Sequence, residues 1–258
     1  MPEAICSYAR PVFVTLRPRE PLDTERLSAG FSARTRAIII NTPANPTGKV
    51  LSRTELEAIA ELCRRHDCYA ITDEIYEHIY YEGEHIPIAT LPGMAERTVT
   101  ISGASKTFSI TGWRIGTVIA PEPLTDAIRK VHDFLTVGAP APLQDALAAA
   151  LETFDRSYYQ NLAGEYRARR DLLHSALVTA GFRCKAPDGA YYILADFSDL
   201  SDLPDDEFAR WLANERGGAP VPGSSFFQNP AGGRKLVRFA FFKTEELLRA
   251  GGERHVAC

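Results

Sequence analysis

A chain of 258 residues, 45% hydrophobic and 24% charged, has the make-up of an ordinary soluble globular protein and can bury a core in one large domain or two modest ones. Its formal net charge of -4 is spread along the chain, which argues against a nucleic-acid partner, and neither a polybasic tail nor an apolar run of spanning length suggests a membrane. Met1-Pro2-Glu3 lacks the basic and apolar regions of a signal peptide, so a cytoplasmic location is expected.

From about Val12 to Ala120, short apolar runs alternate with helical segments, the pattern of a parallel sheet flanked by helices. Ala37-Ile38-Ile39-Ile40 reads as a fully buried strand, ended by the turn-rich stretch Asn41-Thr42-Pro43-Ala44-Asn45-Pro46-Thr47-Gly48. Ser52 with Glu55 predicts a capping box, and Leu56, Ile59, Ala60 and Leu62 mark the apolar face of the helix that follows. Tyr69 to Thr72 and Thr98 to Ser102 are the next predicted strands, and Gly116 to Ala120 a further one halted by Pro121. Helical patterns then run from about Glu122 to Ala180, broken near Gly138-Ala139-Pro140 and closed by Gly181. The second of these helices puts Leu143, Leu147, Leu151 and Phe154 on one face. Its charged continuation, Glu165 to Arg170, reads as solvated.

After Gly181 the texture changes to short strands and turns. Tyr191 to Leu194 and Leu236 to Ala240 read as strands, with a helix from about Asp206 to Arg216 between them. Glu245-Glu246-Leu247-Leu248 begins a helix expected to dissolve at Gly251-Gly252. The predicted boundary lies inside the long helix, giving a large domain over residues 1–163 and a smaller α+β domain over residues 164–258.

The five cysteines, Cys6, Cys63, Cys68, Cys184 and Cys258, are odd in number and include no C-x-x-C pair, which favours thiols over a disulfide framework. Cys63, His66 and Cys68 straddle a helix end and a strand start without a fourth ligand, so no metal is expected. Asn45 to Lys49 is only faintly similar to a phosphate-binding P-loop, because Pro43 and Val50 stand where its first glycine and its hydroxyl should be. Neither a dinucleotide-binding glycine fingerprint nor a serine nucleophile elbow occurs.

Polar residues just beyond the ends of the predicted strands remain, where open α/β sheets bind ligands. Asn45 follows one strand, Asp73 and Tyr76 the next, and Ser105, Lys106 and Arg114 the third. Lysine forms Schiff bases, a buried carboxylate holds a pyridinium nitrogen protonated, and arginine grips a phosphate by its planar fork. Taken singly, each has a bland alternative: a surface lysine, a turn or cap aspartate, a core tyrosine, a turn asparagine, a surface ion pair.

Asn45-Pro46-Thr47-Gly48, Thr72-Asp73-Glu74-Ile75-Tyr76, Ser105-Lys106-Thr107-Phe108-Ser109-Ile110-Thr111-Gly112-Trp113-Arg114-Ile115-Gly116, Val221-Pro222-Gly223-Ser224-Ser225-Phe226 and Val237-Arg238-Phe239-Ala240 together resemble the class I/II aminotransferases, with the fold of aspartate aminotransferase. The local texture resembles their broad-specificity aspartate, aromatic and kynurenine-like branch. The resemblance implies a fold-type I α/β transferase: a mostly parallel sheet with flanking helices and a smaller C-terminal α+β domain. It implies pyridoxal 5'-phosphate as cofactor, an amino acid and a 2-oxo acid as small-molecule substrates, and a homodimer. Lys106 would carry the cofactor as a Schiff base and shuttle the substrate proton. Asp73 would pair with the pyridinium nitrogen, and Tyr76 and Asn45 would hydrogen-bond the ring's phenolic oxygen. Arg114 would bind the phosphate with help from Ser105, and Arg238, with Asn45 beside it, would take the substrate α-carboxylate. Trp113 and Phe108 read as packing residues.

Family members extend further at the N-terminus. On the resemblance this chain is therefore expected to lack a glycine-rich phosphate loop, a ring-stacking aromatic and a residue reaching across the dimer. That leaves the large domain incomplete and activity impaired. A pyridoxal-phosphate C–S lyase on the same scaffold and a non-catalytic aminotransferase fragment are the alternatives.

Overall fold

Ile38 to Ile40 sit in an extended run between two turns, and in the computed structural model, which describes residues 9–16 and 20–256 (side chains to 252), they form the first strand, β1 (Ala37–Asn41). Strands β2 (Tyr69–Asp73), β3 (Thr98–Gly103) and β4 (Gly116–Ile119) follow in that spatial order; the first three are parallel and β4 is an antiparallel edge. The register aligns Asn41 with Asp73 and Asp73 with Ile101, so the parallel strands end side by side. Helix α1 (Thr24–Ala29) precedes β1, and α2 (Arg53–Arg65) connects β1 to β2. The capping box that starts α2 is present: Ser52 Oγ accepts from Glu55 N, and Glu55 Oε2 accepts from Ser52 N at 2.9 Å. Leu56, Ile59, Ala60, Leu62 and Cys63 on α2 pack on Ile40 and Ala70 of the sheet, with Ile88 and Met94 closing the cluster.

The expectation that β1 is buried on both faces is corrected. Alternate strand residues point to opposite faces, and α2 covers only the face that carries Ile40 and Ala70. On the other face Ile39 is 48% exposed, and Ile101 and Val118 are exposed as well.

A four-residue helix, α3 (Ala104–Thr107), follows β3, and three longer helices follow β4: α4 (Glu122–Leu135), α5 (Ala141–Thr153) and α6 (Arg156–Thr179). The sequence reading ran α5 and α6 together. They part at Asp155, whose side chain accepts from Ser157 N at 2.8 Å and so caps α6. Leu147 is buried on α5, but Leu151 and Phe154 are exposed, so the single apolar face does not extend to the helix end. The charged run in α6 is not simply solvated either. Tyr166 and Arg170 are buried there, and the Arg170 guanidinium lies 4.9 Å over the Tyr81 ring and donates to Pro187 O at 3.1 Å. The predicted boundary between residues 163 and 164 falls inside α6, which runs across it unbroken.

A second sheet holds β5 (Tyr192–Asp196), β6 (Val221–Pro222) and β7 (Leu236–Ala240) in the order β5-β7-β6, all antiparallel. Helix α7 (Asp205–Trp211) packs Phe208 against Phe197, with the two rings stacked at 4.0 Å. Helix α8 (Glu245–Val256) does not dissolve at its glycines. A Cβ on Gly252 would lie 2.9 Å from Ala176 Cβ, so the bare backbone there lets α8 approach α6 closely. Tyr76, Ile79 and Tyr81, which follow β2, share one apolar cluster with Tyr166, Phe182, Phe208 and Phe241, which ties the two sheets together.

Cys63 and Cys68 are buried thiols, Cys184 is half-buried, and Cys6, Cys258 and Met1-Pro2-Glu3 lie outside the described residues. Burial pushes the Cys63 thiol up to about 12, and the His66 ring packs at 5.3 Å on Phe31. Among the described residues no helix is long and apolar enough to cross a membrane.

The seam between the sheets runs through two glycines. Gly189 N donates to Gly48 O at 2.7 Å, and Gly48 has a φ of 68°. A Cβ on Gly48 would fall 2.2 Å from Pro187 Cβ. Gly83 has a similar φ of 74° with nothing within 4 Å of a built Cβ. Gly83→Ala should therefore lose only the left-handed backbone penalty, about 1–2 kcal/mol, whereas Gly48→Ala adds an overpacking cost of roughly 1–3 kcal/mol. Urea denaturation of the two variants checks the difference; equal losses would mean that the seam yields freely.

Candidate active site

Strands β1 and β2 each end in a polar residue, and short hydrogen bonds fold the chain back over those ends. Asn41 Nδ2 donates to Asp73 O at 2.9 Å, and Asn41 Oδ1 accepts from Asn45 N at 2.7 Å. This fixes the loop so that Asn45 Oδ1 accepts from Arg238 Nη1 at 2.7 Å, although 193 residues separate the two. Arg238 stands on β7 between two aromatic rings, its guanidinium carbon 4.2 Å from the Tyr192 centroid and 4.8 Å from that of Phe226. Its buried Nε has no hydrogen-bond partner among the described residues. Asp205, at the start of α7, accepts from Ser224 N at 2.7 Å and anchors the turn that carries Phe226.

Asp73 closes β2. Burial, more than the neighbouring Glu74, holds its carboxyl above the usual range, and the Ile75 N–H that it accepts at 3.2 Å offsets this only in part. Behind it Glu74 is fully buried, accepting from Thr72 Oγ1 at 2.8 Å and meeting His85 Nε2 at 2.8 Å. Tyr76 is 3% exposed, and its hydroxyl lies 3.0 Å from that of Tyr192. Burial first, and then the surrounding phenols of Tyr192 and Tyr191, raise its pKa well above the ordinary tyrosine value.

Lys106 sits in α3 at the end of β3, half-buried, with Nζ 6.0 Å from the Tyr191 ring centroid. Tyr158 of α6 steadies α3 by donating to Thr107 O at 2.9 Å. Ser105 is buried, and its carbonyl accepts from Thr111 Oγ1 at 3.1 Å. Arg114 is exposed, with a φ of 57°, and donates to Thr111 O at 3.2 Å within its own turn. Phe108 stacks on Tyr158 at 5.6 Å, as expected of a packing residue, whereas Trp113 remains 37% exposed.

Asn45 and Arg238 are thus in direct contact, and Tyr76 joins them through Tyr192. Tyr76 meets Tyr192, and Asn45 meets Arg238. Tyr191, Tyr192 and Phe226 were missed as site residues. Phe226 closes one of the blocks that carry the resemblance, Tyr191 and Tyr192 stand as an aromatic pair directly after Gly189-Ala190, and no spacing rule links Tyr192 to Tyr76 across 116 residues.

A family model described as aminotransferase class I and II matches residues 4–251. Human kynurenine–oxoglutarate transaminase 3 is 38% identical over 274 residues, covering 95% of this chain and 60% of that protein. Methionine aminotransferase of Escherichia coli K12 is 37% identical over 238 residues, covering 92% and 61%. Among solved structures, N-succinyldiaminopimelate aminotransferase from Mycobacterium tuberculosis superposes with a TM-score of 0.92 at 38% identity, covering 98% of this chain and 67% of that one. Thermus thermophilus aspartate aminotransferase with maleate gives 0.83 at 36%, covering 92% and 60%. The chain therefore spans about 60% of the length of the first of these relatives.

Tyr76 also gives the site a signature in stability. Its raised pKa means that the neutral phenol is favoured in the folded state, so its contribution is complete below the unfolded tyrosine value of about 10 and is lost as pH rises toward the higher folded value. Urea midpoints measured from about pH 8 to 11 should fall less steeply in Tyr76→Phe than in the parent. Parallel curves would show that Tyr76 does not titrate on unfolding.

Proposed function

This chain belongs to the class I and II aminotransferases, and on that premise we propose that it transfers an amino group from an L-amino acid to a 2-oxo acid with pyridoxal 5'-phosphate. The observation that carries the reading is the clamp on Arg238. A guanidinium held by Asn45 and two aromatic rings, with a buried Nε–H lacking an acceptor, is a pre-formed seat for a carboxylate. Through Asn45 and Asn41 it is linked to the end of β2 that bears Asp73.

The donor set fits the cofactor. Asp73 is a carboxyl held high by burial with no cationic side chain against it among the described residues, which is the environment a protonated ring nitrogen would complete. When bound, pyridoxal phosphate supplies an aldehyde for amines and a ring that withdraws electrons. Lys106 Nζ would hold that aldehyde carbon and, once displaced by the substrate amine, would carry the proton from the substrate Cα to that same carbon. Asp73 would keep the ring nitrogen protonated, and Tyr76 would donate to the ring's phenolic oxygen. Arg114 and Ser105 would face the phosphate, and Arg238 would orient the α-carboxylate so that the Cα proton points at Lys106. A homodimer and a cytoplasmic location belong to the same reading; light scattering and cell fractionation check them.

The test is to add pyridoxal 5'-phosphate to the purified chain and follow keto-acid formation from methionine, kynurenine, aromatic amino acids and aspartate, with 2-oxoglutarate as acceptor. Lys106→Ala should abolish the visible band of the bound cofactor and cut turnover by roughly 10²–10⁴-fold or more. Arg238→Lys should raise KM for the amino acid by about 10–100-fold, the loss of a bidentate charge-assisted pair of about 1.5–3 kcal/mol. No band in the parent, or a band that survives Lys106→Ala, would overturn the assignment.

A further inference from the structure

We propose that Tyr192 is a positioning residue that couples the carboxylate seat to the cofactor ring: its ring lies under the Arg238 guanidinium while its hydroxyl donates to Tyr76, reserving the Tyr76 proton for the cofactor's phenolic oxygen. The proposal rests on the function proposed above and adds a residue and a direction of hydrogen bonding to it.

The argument starts from donor counting. Two phenols 3.0 Å apart own one O–H each, and only one of those protons can lie between them. Both side chains are buried, Tyr76 at 3% and Tyr192 at 8% exposure, so the second O–H needs a partner that is not bulk water. The two rings differ in their surroundings. A guanidinium 4.2 Å above the Tyr192 ring draws electron density from it and strengthens its O–H as a donor. Tyr76 instead has two rings set nearly perpendicular to it, Tyr191 at 5.1 Å and Tyr192 at 5.9 Å, and no cation over its ring among the described residues. Tyr192 is therefore the donor of the pair and Tyr76 the acceptor, which leaves the Tyr76 proton outside the pair, with the neighbouring Tyr191 hydroxyl and an arriving phenolic oxygen as the acceptors open to it. The bond also polarises Tyr76 cooperatively, making its own proton a stronger donor.

The same ring links two events. A carboxylate that arrives at Arg238 partly neutralises the cation over Tyr192 and so alters what Tyr192 gives to Tyr76. Among the described residues the other titratable and charged groups around this pair are Tyr191, whose hydroxyl interacts with both phenols, Tyr166, which stacks on Tyr191 at 5.7 Å, and Lys106, whose Nζ lies 6.0 Å from the Tyr191 ring. Asn45 completes the circuit by fixing the far side of Arg238.

Tyr192→Phe keeps the ring beneath Arg238 and removes only the hydroxyl, so the fold should hold, with a melting temperature close to that of the parent. The parent, Tyr192→Phe, Tyr76→Phe and the double variant are each saturated with pyridoxal 5'-phosphate, and the visible band is titrated against pH. Weakened donation to the phenolic oxygen disfavours its anionic form, so the midpoint should rise by about half to one pH unit in Tyr192→Phe. It should rise further in Tyr76→Phe, and adding Tyr192→Phe to Tyr76→Phe should change nothing more, because the effect passes through Tyr76. An unmoved midpoint in Tyr192→Phe, or the same rise with Tyr76 already replaced, overturns the proposal and leaves the proposed function standing. A parent that takes up no cofactor overturns both.

Discussion

Gly48 and Gly189 meet backbone to backbone, and most of the site follows from that contact. Their 2.7 Å hydrogen bond brings the loop after β1 against the segment that leads into β5, at a separation that no side chain would allow on Gly48. Ala190 N donates to Ile79 O at 2.8 Å and continues the seam, delivering Tyr191 and Tyr192 beside Tyr76. The same seam sets Asn45 against Arg238. Residues from two separate sheets thus form one shelf, held by backbone geometry on one side and by aromatic packing on the other.

The chemistry of the shelf depends on how little water reaches it. Asp73, Tyr76 and Glu74 are withdrawn from solvent to different degrees, and the protein compensates each differently. Glu74 is fully enclosed and satisfied by Thr72 and His85, the arrangement that a buried carboxylate requires. Asp73 receives a single backbone N–H and keeps an unmet demand for positive charge. Arg238 has its charge spread across two rings and one amide oxygen, with a donor left over. An acid short of a cation and a cation with a spare donor are the complementary groups on which the proposed function rests.

Much of this was legible in the sequence. The strand-end positions of Asp73, Lys106 and Asn45 follow from hydrophobic patterning and turn chemistry, and Ser52 with Glu55 marked its helix start correctly. Local signals failed where the outcome depends on distant partners. Ile39 looks like core because its neighbours are aliphatic, yet the face it occupies is left open. Arg170 looks like solvated charge until Tyr81 and the Pro187 carbonyl come to meet it. Gly251 and Gly252 look like a helix end, but contact with α6 outweighs their low propensity. Tyr192 carried no motif at all, because its importance arises only when β5 packs beside the chain following β2.

Cys63 and Cys68, sealed in the core between α2 and the sheet, bear on how this half of the molecule behaves over time. A thiol attacks oxidants and alkylating reagents only as its thiolate, and burial raises both thiols, Cys63 to about 12, so that with almost no access to solvent they supply almost none. Reaction at these two sulfurs must therefore wait for the packing of α2 on the sheet to open. Cys184, half-buried elsewhere, carries no such guarantee. The slow fraction of thiol labelling then becomes a clock for local unfolding, one that runs in the native protein without denaturant and reads the stability of the strands on which the shelf is built.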